Sequence, residues 1–304
     1  VTRWRIVLAS LAAALAAAAL TVLFVWRPWD PVPDELRTAA DRVRDVPGVV
    51  GVVVDYEVVR HDPKDGDAAL ARFAIRLDPA LAPADAGASA RVAAATLVTA
   101  EVPGVRTLER GVIVQAGAPR SVNGVDLYPV DVSAGSGLAD SVDDAFTLWR
   151  AGATSVRSGT VEAADGDTLA RLADLAAGRG MGLSFATADG RIRYDTYGDP
   201  PEPAALRLVA DAAARPGVDG AIYVASAEPH VQVSMTTTAD SPESQALAHW
   251  LEQHELATAV GHPVAYRITE PGFATILEGW VSGTGTVGAG AAPDPPCREP
   301  SPCS

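Results

Sequence analysis

Residues Ile6 to Trp26 form an unbroken uncharged run; beyond it the chain alternates between short stretches of helical and of twofold hydrophobic period. As a helix, the 21 residues of that run rise ~1.5 Å each and span the ~30 Å hydrocarbon core of a bilayer. Arg3 and Arg5 precede it, Arg27 follows it, and Trp26 and Trp29 sit where interfacial aromatics anchor a spanning helix. An uncleaved anchor is the reading adopted. A secretory signal cut near Ala17-Ala18-Ala19 competes with it, although the apolar run continues through Leu20 to Val25. A buried Ala-rich helix is the third possibility. The arginine bias predicts residues 1–5 in the cytoplasm and the body outside. Pro28, Pro31 and Pro33 make residues 27–33 a stiff, extended spacer.

Within the body one pattern recurs: an amphipathic helix, a Pro-Gly-Val turn, then a β-branched strand. It occurs as Asp34–Asp45 with Pro47-Gly48-Val49 and Val50–Val59, and as Asp85–Glu101 with Pro103-Gly104-Val105 and Val112-Ile113-Val114. It returns as Glu202–Ala214 with Pro216-Gly217-Val218 and Ala221–Val224. Proline ends the helix, glycine supplies the positive-φ turn and valine opens the strand. Helix Leu138–Arg150 leads to a strand over Thr154–Val161 in the same way.

A longer match suggests duplication. Val130-Asp131-Val132-Ser133 is followed sixteen residues later by Trp149, and Val231-Gln232-Val233-Ser234 sixteen residues later by Trp250. Both read strand, polar turn, helix, with the tryptophans as core anchors. The first half, 34–163, reads α-β-β-α-β then β-α-β. The second half, 164–282, repeats that order: helix Thr168–Ala177, strands Gly182–Thr187 and Arg191–Tyr197 around Asp189-Gly190, helix Pro203–Ala214, strands Ala221–Ala225 and Val231–Thr237, helix Pro242–Glu255, strand Val264–Ile268. Thr275–Val281 adds an edge strand. Such an order predicts an α+β fold of mixed or antiparallel sheets with helices on one face. Residues 283–304, rich in Gly, Ala and Pro, read as a disordered tail.

Charge narrows the partners. The chain carries −14, and removing Arg3, Arg5 and Arg27 leaves −17 for the outer part. That disfavours nucleic acid and anionic lipid surfaces, which need a basic face. Cys297 and Cys303 are the only cysteines. They either pair in a small terminal loop or sit as idle thiols in the tail.

Candidate chemistry is sparse. His254-Glu255 opens like a zinc-protease motif, but position 258 is threonine, and His249 and His254 are five apart on a helix. Gly283-Thr284-Gly285-Thr286-Val287-Gly288 has nucleotide-loop spacing without a helix to follow. Asp62, Asp65 and Asp67 lack the alternation and closing glutamate of a calcium loop. Ser136 between Gly135 and Gly137 reads as a cap for the helix at Leu138. Tyr194 and Tyr197 flank Asp195 on a strand, and alternation places Asp195 on the face opposite Tyr194. No catalytic, cofactor-binding or metal-ligating residue is assigned. A pocket that brings His230, His249 or His262 beside a carboxylate would favour an enzyme assembled from distant positions.

The α-β-β-α-β unit with its Pro-Gly-Val turns resembles the BON domain, a small module of bacterial envelope proteins. Leu36, Val43, Pro47-Gly48-Val49, Phe73–Leu77, Ala93, Val98, Pro103-Gly104-Val105 and Val112-Ile113-Val114 carry the resemblance over 34–116, and a weaker copy covers 167–226. The chain departs from the family where the acidic loop His61–Asp67 replaces a glycine before the middle strand, and where Arg179-Gly180-Met181-Gly182 replaces the first turn of the second copy. The Arg-, Ala- and Gly-rich composition is similar to that of GC-rich genomes such as those of actinobacteria. The resemblance implies duplicated ferredoxin-like, BON-like units, envelope or membrane partners and no catalysis. The chain is therefore expected to be a single-pass cell-membrane protein with an extracytoplasmic binding or scaffold body. A small-molecule binder is the alternative beside the assembled enzyme.

Overall fold

The computed structural model describes residues 31–60, 67–133, 137–196, 198–236, 241–255, 259–270 and 275–281. The run 6–26, the loop positions 61–66, Ser136, Tyr197, Thr258 and the segment 282–304 with both cysteines lie outside them. Among the described residues no helix is long and apolar enough to cross a membrane. The fold is α+β, with a large mixed sheet and, among the described residues, six helices of 11 to 16 residues.

In chain order the elements are α1 (Asp34–Arg44), β1 (Val49–Arg60), β2 (Asp67–Leu77), α2 (Pro83–Val98), β3 (Val105–Ala116), β4 (Arg120–Val122), β5 (Val125–Leu127), β6 (Val130–Ser133), α3 (Leu138–Arg150), β7 (Ser155–Arg157) and β8 (Thr160–Ala163). Then follow α4 (Gly166–Arg179), β9 (Ser184–Thr187), β10 (Ile192–Thr196), α5 (Pro203–Ala213), β11 (Val218–Ala225), β12 (His230–Met235), α6 (Pro242–Gln253), β13 (Val264–Thr269) and β14 (Thr275–Val281). Without the β4–β5 hairpin, the order from α1 to β8 is the order from α4 to β14.

All three Pro-Gly-Val turns adopt one geometry. Gly48, Gly104 and Gly217 have φ of 82°, 81° and 77°. In each, the valine N–H donates to the residue three before it: Val46, Val102 and Arg215 respectively. A side chain other than glycine would be strained at that φ, so the sequence pattern dictates the turn.

The described residues form two compact units, one within 31–76 and 91–113, the other within 77–90 and 114–281. In the first, strand order is β1-β2-β3, and α1 buries Leu36, Ala39, Ala40 and Val43. That helical spacing puts all four on one face, and Phe73, Ile75, Ala93, Leu97 and Val112 complete the core.

In the second unit β6 through β14 lie side by side in sequence order. Each helix joins a parallel pair: β6–β7, β8–β9, β10–β11 and β12–β13. Each intervening connection is a hairpin with antiparallel pairing. Position 163/164 lies inside this unit, between strands that pair with each other. Ion pairs tie neighbouring helices: Arg179 of α4 reaches Asp143 and Asp144 of α3 at 3.1 and 2.8 Å, and Arg207 of α5 reaches Asp174 of α4 at 2.7 Å. The helices therefore share one face of the sheet. Beneath them alternate strand positions such as Val161, Phe185, Tyr194, Tyr223, Val231, Val233, Tyr266 and Ile268 are buried.

Three expectations are corrected. Thr154–Val161 is not one strand but the hairpin β7–β8, because Gly159 turns the chain at φ 90°. Trp149 and Trp250 are half-buried rather than core. Trp149 packs edge-on against Phe146 at 5.9 Å, and Trp250 lies under the Arg215 guanidinium at 3.9 Å. The N-cap of α3 is Gly137, at φ 100° and with no side-chain cap bond.

Candidate functional site

Strands β10 and β11 run parallel with Tyr194 opposite Tyr223, both directed under the helices. Their rings stack, 5.1 Å between centroids and 19° between planes. Both hydroxyls converge on Glu202, the residue preceding α5. The Tyr223 hydroxyl donates to Glu202 Oε2 at 2.7 Å, and the Glu202 N–H donates to the Tyr194 hydroxyl at 3.0 Å. The other carboxylate oxygen, Oε1, lies 2.9 Å from His262 Nε2. Nearby on β13, the Tyr266 hydroxyl donates to Glu252 of α6 at 2.8 Å.

The electrostatics follow from this packing. Burial pushes the Tyr194 phenol up to about 12. It pushes Tyr223 higher still, helped by the hydrogen bond to Glu202 and by the Glu202 charge. Burial and the Glu252 bond raise Tyr266 in the same way. Burial works against a charged His262, but the Glu202 hydrogen bond, the Pro263 carbonyl and the Glu202 charge outweigh it, so its pKa is raised. His254, at the end of α6, is held below the ordinary histidine value by burial. Chemically, the cluster is a carboxylate held by a phenol and an imidazole, capable of holding and moving a proton at His262.

The sheet's opposite face is the second candidate. Among the described residues no helix packs on it. It carries Asp131, Arg157, Glu162, Arg193, Asp195, Arg267 and Glu278, with half-buried Ile222, Val224 and Trp280 among them. Several charges pair locally: Arg193 with Asp195 at 2.8 Å, Gln115 with Asp131 at 3.2 Å, and Ser155 with Glu162 at 2.8 Å. Asp195 thus lies opposite in face to Tyr194, as alternation predicts.

Of the sequence candidates, His262 meets a carboxylate from a distant part of the chain. His249 Nε2 lies 2.8 Å from Gln253 on the next turn of α6. His254 packs edge-on against Trp250 at 5.3 Å, and His230 Nδ1 lies 3.1 Å from the Glu228 carbonyl. Among the described residues no three His, Cys, Asp or Glu side chains gather to hold a metal ion. Sequence reasoning missed Glu202, Tyr223 and the β4–β5 hairpin. Asn123-Gly124, at φ 51° and 79°, was a legible signal for that hairpin. Nothing local marks Glu202, which is 60 positions from its histidine.

No protein-family model matches the sequence, and neither a curated protein nor a solved structure matches it.

Proposed function

We propose that this is a membrane-anchored, extracytoplasmic, non-catalytic protein that binds or scaffolds another envelope or membrane protein. The observation that carries the reading is the helix-free face of the β6–β14 sheet. It offers charges of both signs around half-buried apolar side chains, as the rim and core of a protein contact do. The apolar run 6–26 supports placement at a cell membrane with the N-terminus inside, and the net charge of −14 disfavours nucleic acid as the partner. The α1-β1-β2-α2-β3 order over residues 34–116 supports a BON-like, ferredoxin-like unit. The recurrence of the same element order from α4 onward supports duplication.

The test is recovery of the tagged full-length protein from mildly solubilised native membranes, with a photocrosslinking residue at Ile222 on the helix-free face and, separately, at Arg171 on α4. A stoichiometric envelope partner crosslinked from 222 and not from 171 is expected. A protein recovered clean, with no crosslink, overturns the scaffold reading. The meeting of Glu202 with His262 would then favour an extracytoplasmic small-molecule binder or an enzyme assembled from distant residues.

A further inference from the structure

Both ring nitrogens of His262 face oxygen atoms. Nε2 lies 2.9 Å from Glu202 Oε1, and Nδ1 lies 3.2 Å from the Pro263 carbonyl oxygen. A neutral imidazole has one N–H. In either tautomer one nitrogen would therefore turn a lone pair toward an oxygen, and only the imidazolium donates to both.

The two sides of this contact differ in how firmly they are held. Glu202 is fixed by the Tyr223 hydroxyl at 2.7 Å and, through its own N–H, by the Tyr194 hydroxyl at 3.0 Å. Both phenols belong to buried, stacked rings on adjacent strands. His262 instead lies in the short connection between residue 260 and β13, beside Gly261 at φ 80°. Its ring is about one-third exposed (34%).

Few other groups bear on the ring. Ahead of α5, Glu202 acts directly; on β11 and β10, Tyr223 and Tyr194 act through that carboxylate. On β13 and α6, Tyr266 and Glu252 are paired with each other at 2.8 Å. His254, at the end of α6, responds to Asp211, Glu255 and Arg215.

We propose that His262 is a proton-operated latch, closed when the imidazolium ties the entry to β13 onto the Glu202 carboxylate at the start of α5, and opened by loss of that proton. Release frees Gly261–Pro263 while Glu202 stays on its two tyrosines, so the movement belongs to the β13 connection. The raised pKa of His262 agrees in sign. A group bound more tightly to its proton in the closed form stabilises that form fully below the ordinary histidine value of ~6.5 and loses the effect as pH rises through the raised value. Each unit by which the pKa is raised corresponds to about tenfold in the closed-to-open ratio. The latch does not depend on where the protein resides or on what it binds.

The experiment is amide hydrogen exchange of the detergent-solubilised full-length protein at about pH 5 and about pH 8, corrected for intrinsic rates. It is joined by an NMR titration of its five histidines and repeated on His262→Asn and Glu202→Gln. Residues 259–265 are expected to be protected more strongly at the acid pH, by up to about tenfold per unit of raised pKa. The resonance that disappears in His262→Asn should titrate above ~6.5, and Glu202→Gln should bring it down. Equal protection at both pH values, or a His262 midpoint at or below the ordinary value, overturns the latch. The wild-type measurements alone decide the matter if either variant fails to fold.

Discussion

The Tyr223 hydroxyl donates to Glu202 Oε2 at 2.7 Å across 21 residues of chain, bringing a phenol on β11 to the carboxylate that precedes α5. Glu202 is half-buried, and an acceptor taken partly out of water bears a desolvation cost when it loses its donor. Tyr223→Phe keeps the stacked ring and removes only that donor. It should lower the unfolding free energy by about 1–2 kcal/mol, read from the denaturation midpoint at unchanged slope. A midpoint within error of wild type would show that solvent replaces the phenol.

The same burial predicts an alkaline signature. Tyr194 is pushed up to about 12 and Tyr223 and Tyr266 are also raised, all chiefly by desolvation. A raised acid contributes stability fully below its unfolded pKa of ~10 and loses it above. Ultraviolet titration should show these phenols ionising only as the fold opens, with stability falling beyond pH ~10. Smooth ionisation of all six tyrosines near pH ~10 with the fold intact would contradict the buried cluster.

Much of this architecture is legible from the chain because its signals are local. Helix α3 and strand β14 fall on the ranges expected, Leu138–Arg150 and Thr275–Val281. The Pro-Gly-Val turns and the Asp189-Gly190 hairpin are set by residues that bend the backbone themselves. The β7–β8 hairpin escaped because each arm is at most four residues long, too short for alternation to resolve a turn at Gly159. The site was hidden for a different reason. Tyr194, Tyr223 and Tyr266 fall within strands the sequence predicts, but only the parallel pairing of β10 with β11 brings the first two onto one carboxylate. His262 is joined to Glu202 by tertiary structure alone.

Two helical glycines should respond oppositely to alanine. A Cβ on Gly87 of α2 would stand 2.5 Å from the Ala139 carbonyl oxygen, which is rigid backbone, whereas one on Gly178 of α4 meets nothing within 4 Å. Overpacking of this kind costs about 1–3 kcal/mol, and an unobstructed Gly→Ala in a helix gains about 0.5–1 kcal/mol. Gly87→Ala should therefore lower the melting temperature and Gly178→Ala raise it. A rise in both would mean that the approach of α2 to α3 is looser than the geometry requires.

Ser241 caps α6 by accepting from the Ser244 N–H at 3.1 Å, with Pro242 at the first helical position. Ser241→Ala removes the acceptor and leaves an N-terminal donor without that partner. A loss of about 0.5–2 kcal/mol is expected. Ser241→Asp, which restores an acceptor and adds a favourable charge at the helix start, should recover it. Failure of aspartate to rescue would place the effect in packing rather than capping.

Arg215, at the Pro-Gly-Val turn after α5, is one of four influences on the proton affinity of His254, the cap residue that ends α6. Arg215 opens that turn and lies 3.9 Å above the Trp250 ring, while His254 meets Trp250 edge-on at 5.3 Å. His254 is held down first by burial; Arg215 pushes the same way, and Asp211 and Glu255 oppose it. A histidine with a depressed pKa stabilises the fold above its unfolded value of ~6.5 and loses that contribution as pH falls through the lowered value. This is opposite in sign to His262, so the two partly offset each other in global stability, and a variant acting on one of them separates them there. Arg215→Ala removes a positive charge and a cation–π contact worth about 0.5–1 kcal/mol at a partly exposed site. The His254 resonance should move upward toward the ordinary value, and the acid-side loss of stability should shrink, while stability at neutral pH falls slightly. An unchanged His254 midpoint would show that burial alone holds it down and that Arg215 acts only through the indole.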